Sequence, residues 1–164
     1  MAFVDSYLWR LRQKVGSELI LMPGAMVVLE REDGYVLLTK RADDGAWCLP
    51  SGGAERGGSF AKTAIDELAE EAGVEVSAGD LIAFGCLSQA DIHTIRYPNG
   101  DATHCFAMCF LVRRWRGEPH PDQDETTEVR FVDPNALPEP THKPSAAALA
   151  LLQAYSERGV FQIS

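Results

Sequence analysis

Glu67, Glu70 and Glu71 follow closely on a glycine-rich stretch, Ser51-Gly52-Gly53-Ala54-Glu55-Arg56-Gly57-Gly58. On a helix, carboxylates at i, i+3 and i+4 share one face. Charges of one sign held that close repel by about a few tenths of a kcal/mol per pair. A cation among them relieves the repulsion. Clustered hard oxygen donors beside a backbone loop suit Mg²⁺ or Mn²⁺.

The elements that must position these groups can be read around them. The spacing predicts a helix over 59–72, with Ser59 as N-cap, an apolar face of Ala61, Ala64, Ile65, Leu68 and Ala72, and Gly73 as its stop. Before it, residues 41–58 read as a Gly- and Asp-rich loop broken by Trp47-Cys48-Leu49-Pro50. Earlier still, the apolar runs 26–29 and 35–38 flank Glu30-Arg31-Glu32-Asp33-Gly34, which predicts a β-hairpin. Residues 4–15 predict a short amphipathic helix. Its Leu8, Leu11, Arg12 and Val15 form a stripe for a core or for a second subunit. Downstream, strands are expected over 81–87, 104–113 and 128–132, with an Asn-Gly turn within 97–101. The 104–113 segment is apolar on both parities, as a doubly buried central strand is. A long polar loop covers 116–127, and an Ala/Leu-rich helix covers 145–158. Strands with helices before, between and after them predict an α/β layered domain.

The 164 residues fit one domain with one core. A net charge of −9 argues against an extended nucleic-acid surface, which draws on many Lys and Arg contacts to phosphate. It leaves room for a small phosphorylated substrate, since a bound divalent ion supplies local positive charge. No apolar run reaches membrane-spanning length and no signal peptide is read, so the expected location is cytoplasmic. Cys48, Cys86, Cys105 and Cys109 lack metal-site spacing and read as reduced, packed thiols. His93, His104, His120 and His142 are scattered.

The segment 52–74 resembles the Nudix box. Gly52 fits its leading glycine, and Glu67, Leu68, Glu70, Glu71, Gly73 and Val74 fill its second half in register. Lys40-Arg41 and Trp47-Cys48-Leu49-Pro50 also resemble what precedes the box, and the order of elements is similar across nearly the whole chain. Two positions depart from the pattern: Gly58 stands where the family has Glu, and Asp66 where it has Arg. In the family these two support each other and orient the catalytic glutamates.

The resemblance implies a Nudix-type α/β/α sandwich with a mixed β-sheet between helices, as one domain over 1–164. The helix within 1–17 is a candidate dimer element, so a homodimer is an expected partner state. It also implies a divalent-metal-dependent pyrophosphohydrolase that cleaves the diphosphate of a nucleoside diphosphate derivative or nucleotide by water attack. Mg²⁺ or Mn²⁺ would be held by Glu67, Glu70, Glu71 and a backbone carbonyl, that of Ser51. Proton transfer would fall to Glu67, Glu70 or a carboxylate from the long loop: Asp124, Glu125 or Glu128, with Glu125 ranked first. Arg41, Gly52 and Gly53 would face the phosphates. Arg41 could equally pair with Asp43 or Asp44, Glu55 reads as loop support, and Trp47 as packing beneath the loop. Gly58 and Asp66 keep an alternative open: a Nudix-fold ligand sensor or binding module with weak catalysis.

Overall fold

A computed structural model describes residues 6–97 and 99–164. In chain order the elements are α1 (Tyr7–Val15), β1 (Ile20–Leu29), β2 (Val36–Arg41), β3 (Trp47–Cys48), β4 (Ser51–Gly53), α2 (Phe60–Ala72), β5 (Ile82–Leu87), α3 (Ala90–His93), β6 (Thr94–Arg96), β7 (Ala102–Val112), β8 (Thr126–Val132), α4 (Lys143–Arg158) and β9 (Gln162–Ile163). The predicted helix start at residue 4, and Pro98 of the predicted turn, lie outside the described residues.

Two sheets share the core. The larger runs β4-β1-β7-β5-β9, with β6 also paired to β7, and the smaller runs β3-β2-β8. β1 and β7 pair in parallel from Ile20↔Thr103 to Leu29↔Val112, whereas β5 meets β7 antiparallel, so the larger sheet is mixed.

Alternation along the strands sorts side chains into two layers. Ala25, Val27, Leu29, Leu37 and Phe110 pack with Ala64, Leu68 and Ala72 of α2. Met26, Val28, Leu38, Cys109 and Leu111 pack with Ala148, Leu149 and Leu152 of α4. The result is the α/β/α sandwich with a mixed sheet between helices.

The expected hairpin of runs 26–29 and 35–38 does not form as a strand pair. The turn is present: Gly34 has φ 82° and donates to the Arg31 carbonyl, and Arg31 donates to the Tyr35 carbonyl. Yet only the Glu30↔Val36 bridge joins the two strands. β7 takes one edge of β1 along its whole length, β4 takes the other at Gly24–Met26 with the Val27 N–H going to the Pro50 carbonyl, and β2 lies in the other sheet, paired with β3 and β8.

The stripe on α1 is anchored by a charge rather than by apolar packing. Arg12 is buried and donates to the carbonyls of Gly16, Glu18 and Ala102 and to Thr103 Oγ1. Its Nε also lies 3.6 Å from Asp101 Oδ2, in the turn before β7. Five donors in a fixed fork let one Arg satisfy that many acceptors.

On the far layer, Ser145 Oγ accepts the buried Leu49 N–H at 2.9 Å and ties α4 to the chain entering the site. Ser145→Ala leaves that N–H without a partner, so we expect a loss of about 1–3 kcal/mol. Urea denaturation measures it, as a lower midpoint at unchanged slope.

Candidate active site

α2 presents the glutamates because its ends are locally determined. Ser59 Oγ accepts the Lys62 N–H at 3.1 Å, and Gly73, in the left-handed region at φ 65°, returns its N–H to the Leu68 carbonyl. With Ala64, Leu68 and Ala72 fully buried, the glutamates fall on the flank beside β4. Glu71 Oε2 accepts the Ser51 N–H at 3.2 Å. Glu67 lies directly over the loop: a Cβ on Gly52 would fall 2.0 Å from its Oε1.

The site is electrostatically tense. Burial, and then the charge of Glu70, pushes the Glu67 carboxyl up to about 7. Burial, and then the charge of Glu67, holds Glu71 well above the usual carboxylate range, against the pull of the Ser51 N–H. Among the described residues no Lys or Arg forms an ion pair with either group. Half-buried carboxylate oxygens of one sign, crowded onto a glycine backbone, fit a hard divalent cation.

A second segment brings Glu125 to the same cleft. Asp122 Oδ1 accepts the N–H groups of Asp124, Glu125 and Thr126, and Thr126 Oγ1 reaches the Glu71 carbonyl at 3.0 Å. Burial works against the charge of Asp122, but these N–H groups outweigh it and hold its carboxyl low. Glu125 is raised by burial and by Asp122 and Glu70, and its charge in turn raises Glu67 and Glu71. Asp124 also lines the cleft. Glu128 does not; it pairs with Arg130 at 2.6 Å. Sequence reasoning missed Asp122, although an Asp four residues ahead of a Thr in a polar loop signals a side-chain-capped turn.

Arg41 lines the cleft and also pairs with Asp43, with Asp44 3.6 Å away. Burial opposes its charge, but those aspartates raise its pKa further. Glu55 Oε1 accepts the Tyr7 N–H at 2.7 Å and so holds the start of α1 on the loop. Asp66 is engaged by Lys62 Nζ at 2.6 and 2.9 Å, so the charge it adds is answered on the same helix. Trp47 is buried, with Lys40 and Arg130 over its ring, and does not line the cleft. All four cysteines are free thiols.

These groups open on a cleft of about 580 Å³. Strand register defines its floor. Ser51 and Gly53 stand opposite Met26 and Gly24 of β1, Met22 and Gly24 stand beside Cys105 and Ala107 of β7, and Ile95 of β6 faces Thr103. These floor residues lie on the face of the larger sheet that α4 covers, whereas the glutamates come from α2 on the other face and reach the cleft beside β4.

Residues 20–152 match the NUDIX domain family. An RNA pyrophosphohydrolase of Sphingopyxis alaskensis is 41% identical over 63 residues, which span 37% of this chain and 40% of that protein. The fold is similar to that of an ADP-ribose pyrophosphatase from Streptococcus suis, at TM-score 0.65 and 24% identity over 87% of this chain and 98% of that one. It is likewise similar to a MutT NUDIX hydrolase from Burkholderia pseudomallei, at TM-score 0.63 and 22% identity over 80% and 98%. A matched span that runs from β1 into α4, and so takes in both sheets and every glutamate of the cleft, places this chain in the Nudix family.

Proposed function

We propose that the chain is a divalent-metal-dependent pyrophosphohydrolase cleaving the diphosphate of a nucleoside diphosphate derivative or nucleotide. One observation carries this: Glu67, Glu70, Glu71 and Glu125, from two separate segments, line one cleft with Arg41 beside the side-chain-free loop at Gly52 and Gly53. Glu67, Glu70 and Glu71, with the Ser51 carbonyl, would hold the cation. Bound there, Mg²⁺ or Mn²⁺ supplies neutralisation of the diphosphate charge and fixes its orientation.

The chain's own residues do the rest. Gly52 and Gly53 let phosphate oxygens approach the backbone. Arg41, kept charged by Asp43 and Asp44, faces the phosphoryl group that leaves. Glu125 takes the proton from the attacking water, helped by a raised proton affinity that its surroundings impose. Water attacks phosphorus, the bridging oxygen leaves with its electron pair, and the products are a nucleotide and a phosphorylated fragment. No covalent enzyme intermediate is required. The reading extends to a cytoplasmic protein, and to α1 as the dimer element if two copies associate. Among the described residues no helix is long and apolar enough to cross a membrane.

The test is a panel of nucleoside diphosphate derivatives and nucleotides, assayed with Mg²⁺, with Mn²⁺ and with chelator, in heavy-oxygen water. We expect at least one member to be cleaved, cleavage to stop with chelator, and label to enter one product phosphate. Panel members that bind without being cleaved would instead identify a ligand-binding module. Cleavage undiminished by chelator would overturn the metal-dependent reading.

A further inference from the structure

The apolar end of the cleft has chemistry that phosphate cleavage does not use. His93 closes α3 and is 5% exposed, yet it lines the cleft together with Ile95, Tyr97, Met22, Cys105 and Ala107. Its Nδ1 lies 3.4 Å from the Leu87 carbonyl, an acceptor that fixes the proton on Nδ1. That leaves Nε2 as a bare acceptor. Among the described residues Nε2 has no hydrogen-bond partner, and neither has the hydroxyl of the half-buried Tyr97. Neither atom is sealed from open volume. Burial, with His104 and His142 nearby, lowers the affinity of His93 for a second proton.

Position adds a constraint. From β4 through β1 and β7 to β6 is three strand spacings, about 14 Å, and their registers lie about five residues apart along β7, so the two ends of the floor are roughly 20 Å apart. The glutamates and His93 nevertheless line one continuous cleft, so a nucleoside diphosphate derivative held by its diphosphate beside β4 extends along it toward Ile95 and His93. None of these six residues is itself a Lys or Arg, and the positive charges that reach Tyr97, those of Arg41 and Arg12, come from outside this group. An apolar floor with two unspent polar atoms suits a flat heteroaromatic ring.

We propose that this end of the cleft is a nucleobase pocket in which His93 Nε2 accepts a hydrogen bond from an N–H on the base edge, with the Tyr97 hydroxyl as its second polar contact. This rests on the pyrophosphohydrolase reading for the placement of the diphosphate. It makes His93 a specificity-determining residue, because a site built around a buried acceptor discriminates against ligands that leave it unpaired.

The experiment compares wild type with His93→Phe, which keeps a ring but removes the acceptor, and with Tyr97→Phe, which removes one hydroxyl and spares the packing. Two readouts are taken. The first is the ratio of kcat/KM for a base-bearing substrate to that for the same sugar diphosphate without its base. We expect His93→Phe to lower the ratio about tenfold, mainly through KM, as loss of one hydrogen bond does. The second uses nucleoside monophosphate as probe, titrated into the metal-free protein while the nitrogen resonances of His93 are followed. A change at Nε2, with Nδ1 little moved, is the expected result. Probe binding without any change at Nε2, or an unaltered ratio in both variants, overturns the pocket and leaves hydrolysis standing. Probe binding with the Nε2 change, in a protein that cleaves no panel member, supports the pocket while the hydrolytic reading fails.

Discussion

Glu67→Gln is expected to lower metal-dependent turnover by roughly a hundred- to a thousandfold and, in the same protein, to raise the stability of the metal-free state above pH 7. The first effect follows from removing an anionic oxygen from a cluster that requires charge to hold a divalent cation. The second follows from the same crowding. A carboxyl raised from 4.5 to about 7 on folding favours the native state fully below pH 4.5. That contribution is lost as pH rises through 7, where the folded chain must ionise a group that the unfolded chain ionised earlier. The penalty at pH 8 is up to about 3 kcal/mol, and solvent reaching this half-buried side chain reduces it to about 1–2 kcal/mol. Gln carries none of it. With chelator present, the melting temperature of Glu67→Gln should therefore exceed wild type by about 3–6 °C at pH 8, and the gap should shrink steadily toward pH 5. An advantage that does not change with pH would show that the site is not strained by like charge. Full turnover in the variant would remove Glu67 from the mechanism.

Stability sacrificed in this way fits a site kept for chemistry rather than for folding. It also explains why the glutamates were so visible in the sequence. The whole signal is local: three carboxylates at helical spacing, a serine cap and a glycine stop all act within one element, and the structure forms α2 with that same cap and stop. The pairing of β1 was not legible in the same way. Its turn toward β2 was readable at Asp33-Gly34, but whether two runs pair depends on what else competes for their edges. β4 and β7 come from 22 to more than 70 residues further along the chain, β7 taking one edge of β1 and β4 the other at Gly24–Met26. Arg12 is a related case. Helical periodicity puts it on the inward stripe, where it is buried, but the acceptors that make that burial tolerable, at Ala102 and Thr103, are some 90 residues away and carry no local signal. The placing of Glu125 was half legible. A polar loop with three acidic candidates could be seen, but the selection of Glu125 over Glu128 depends on Asp122 gathering three backbone N–H groups and turning the loop toward Glu71. The pocket around His93 had no sequence signal, because the strand register of β1, β6 and β7 assembles it.

Gly52→Ala and Gly24→Ala should separate the site from the fold. The new Cβ at Gly52 would meet Glu67 at 2.0 Å from Oε1, 2.3 Å from Cδ and 2.7 Å from Oε2. These are the outer atoms of a flexible side chain, so the clash is relieved when Glu67 swings off the loop. The backbone need not move. At Gly24 the Cβ would instead meet the carbonyl oxygen of Gly52 at 2.4 Å. That oxygen belongs to the β4 backbone, opposite Gly24 and Ala25 in the ladder, and it can retreat only if the strand pair parts. Gly52→Ala should therefore keep its melting temperature within about 3 °C of wild type while turnover falls roughly 10- to 100-fold, the cost of displacing a functional group by about an ångström. Gly24→Ala should lose about 2 kcal/mol by overpacking, a fall of about 4–8 °C. Paired melting curves and metal-dependent rates decide the matter. Should Gly52→Ala unfold the protein as readily as Gly24→Ala, the loop is held by its own backbone rather than left open for Glu67. Should it melt normally and also turn over normally, the carboxylate of Glu67 need not rest on Gly52 for the reaction, and the site would have to be rebuilt around Glu70, Glu71 and Glu125.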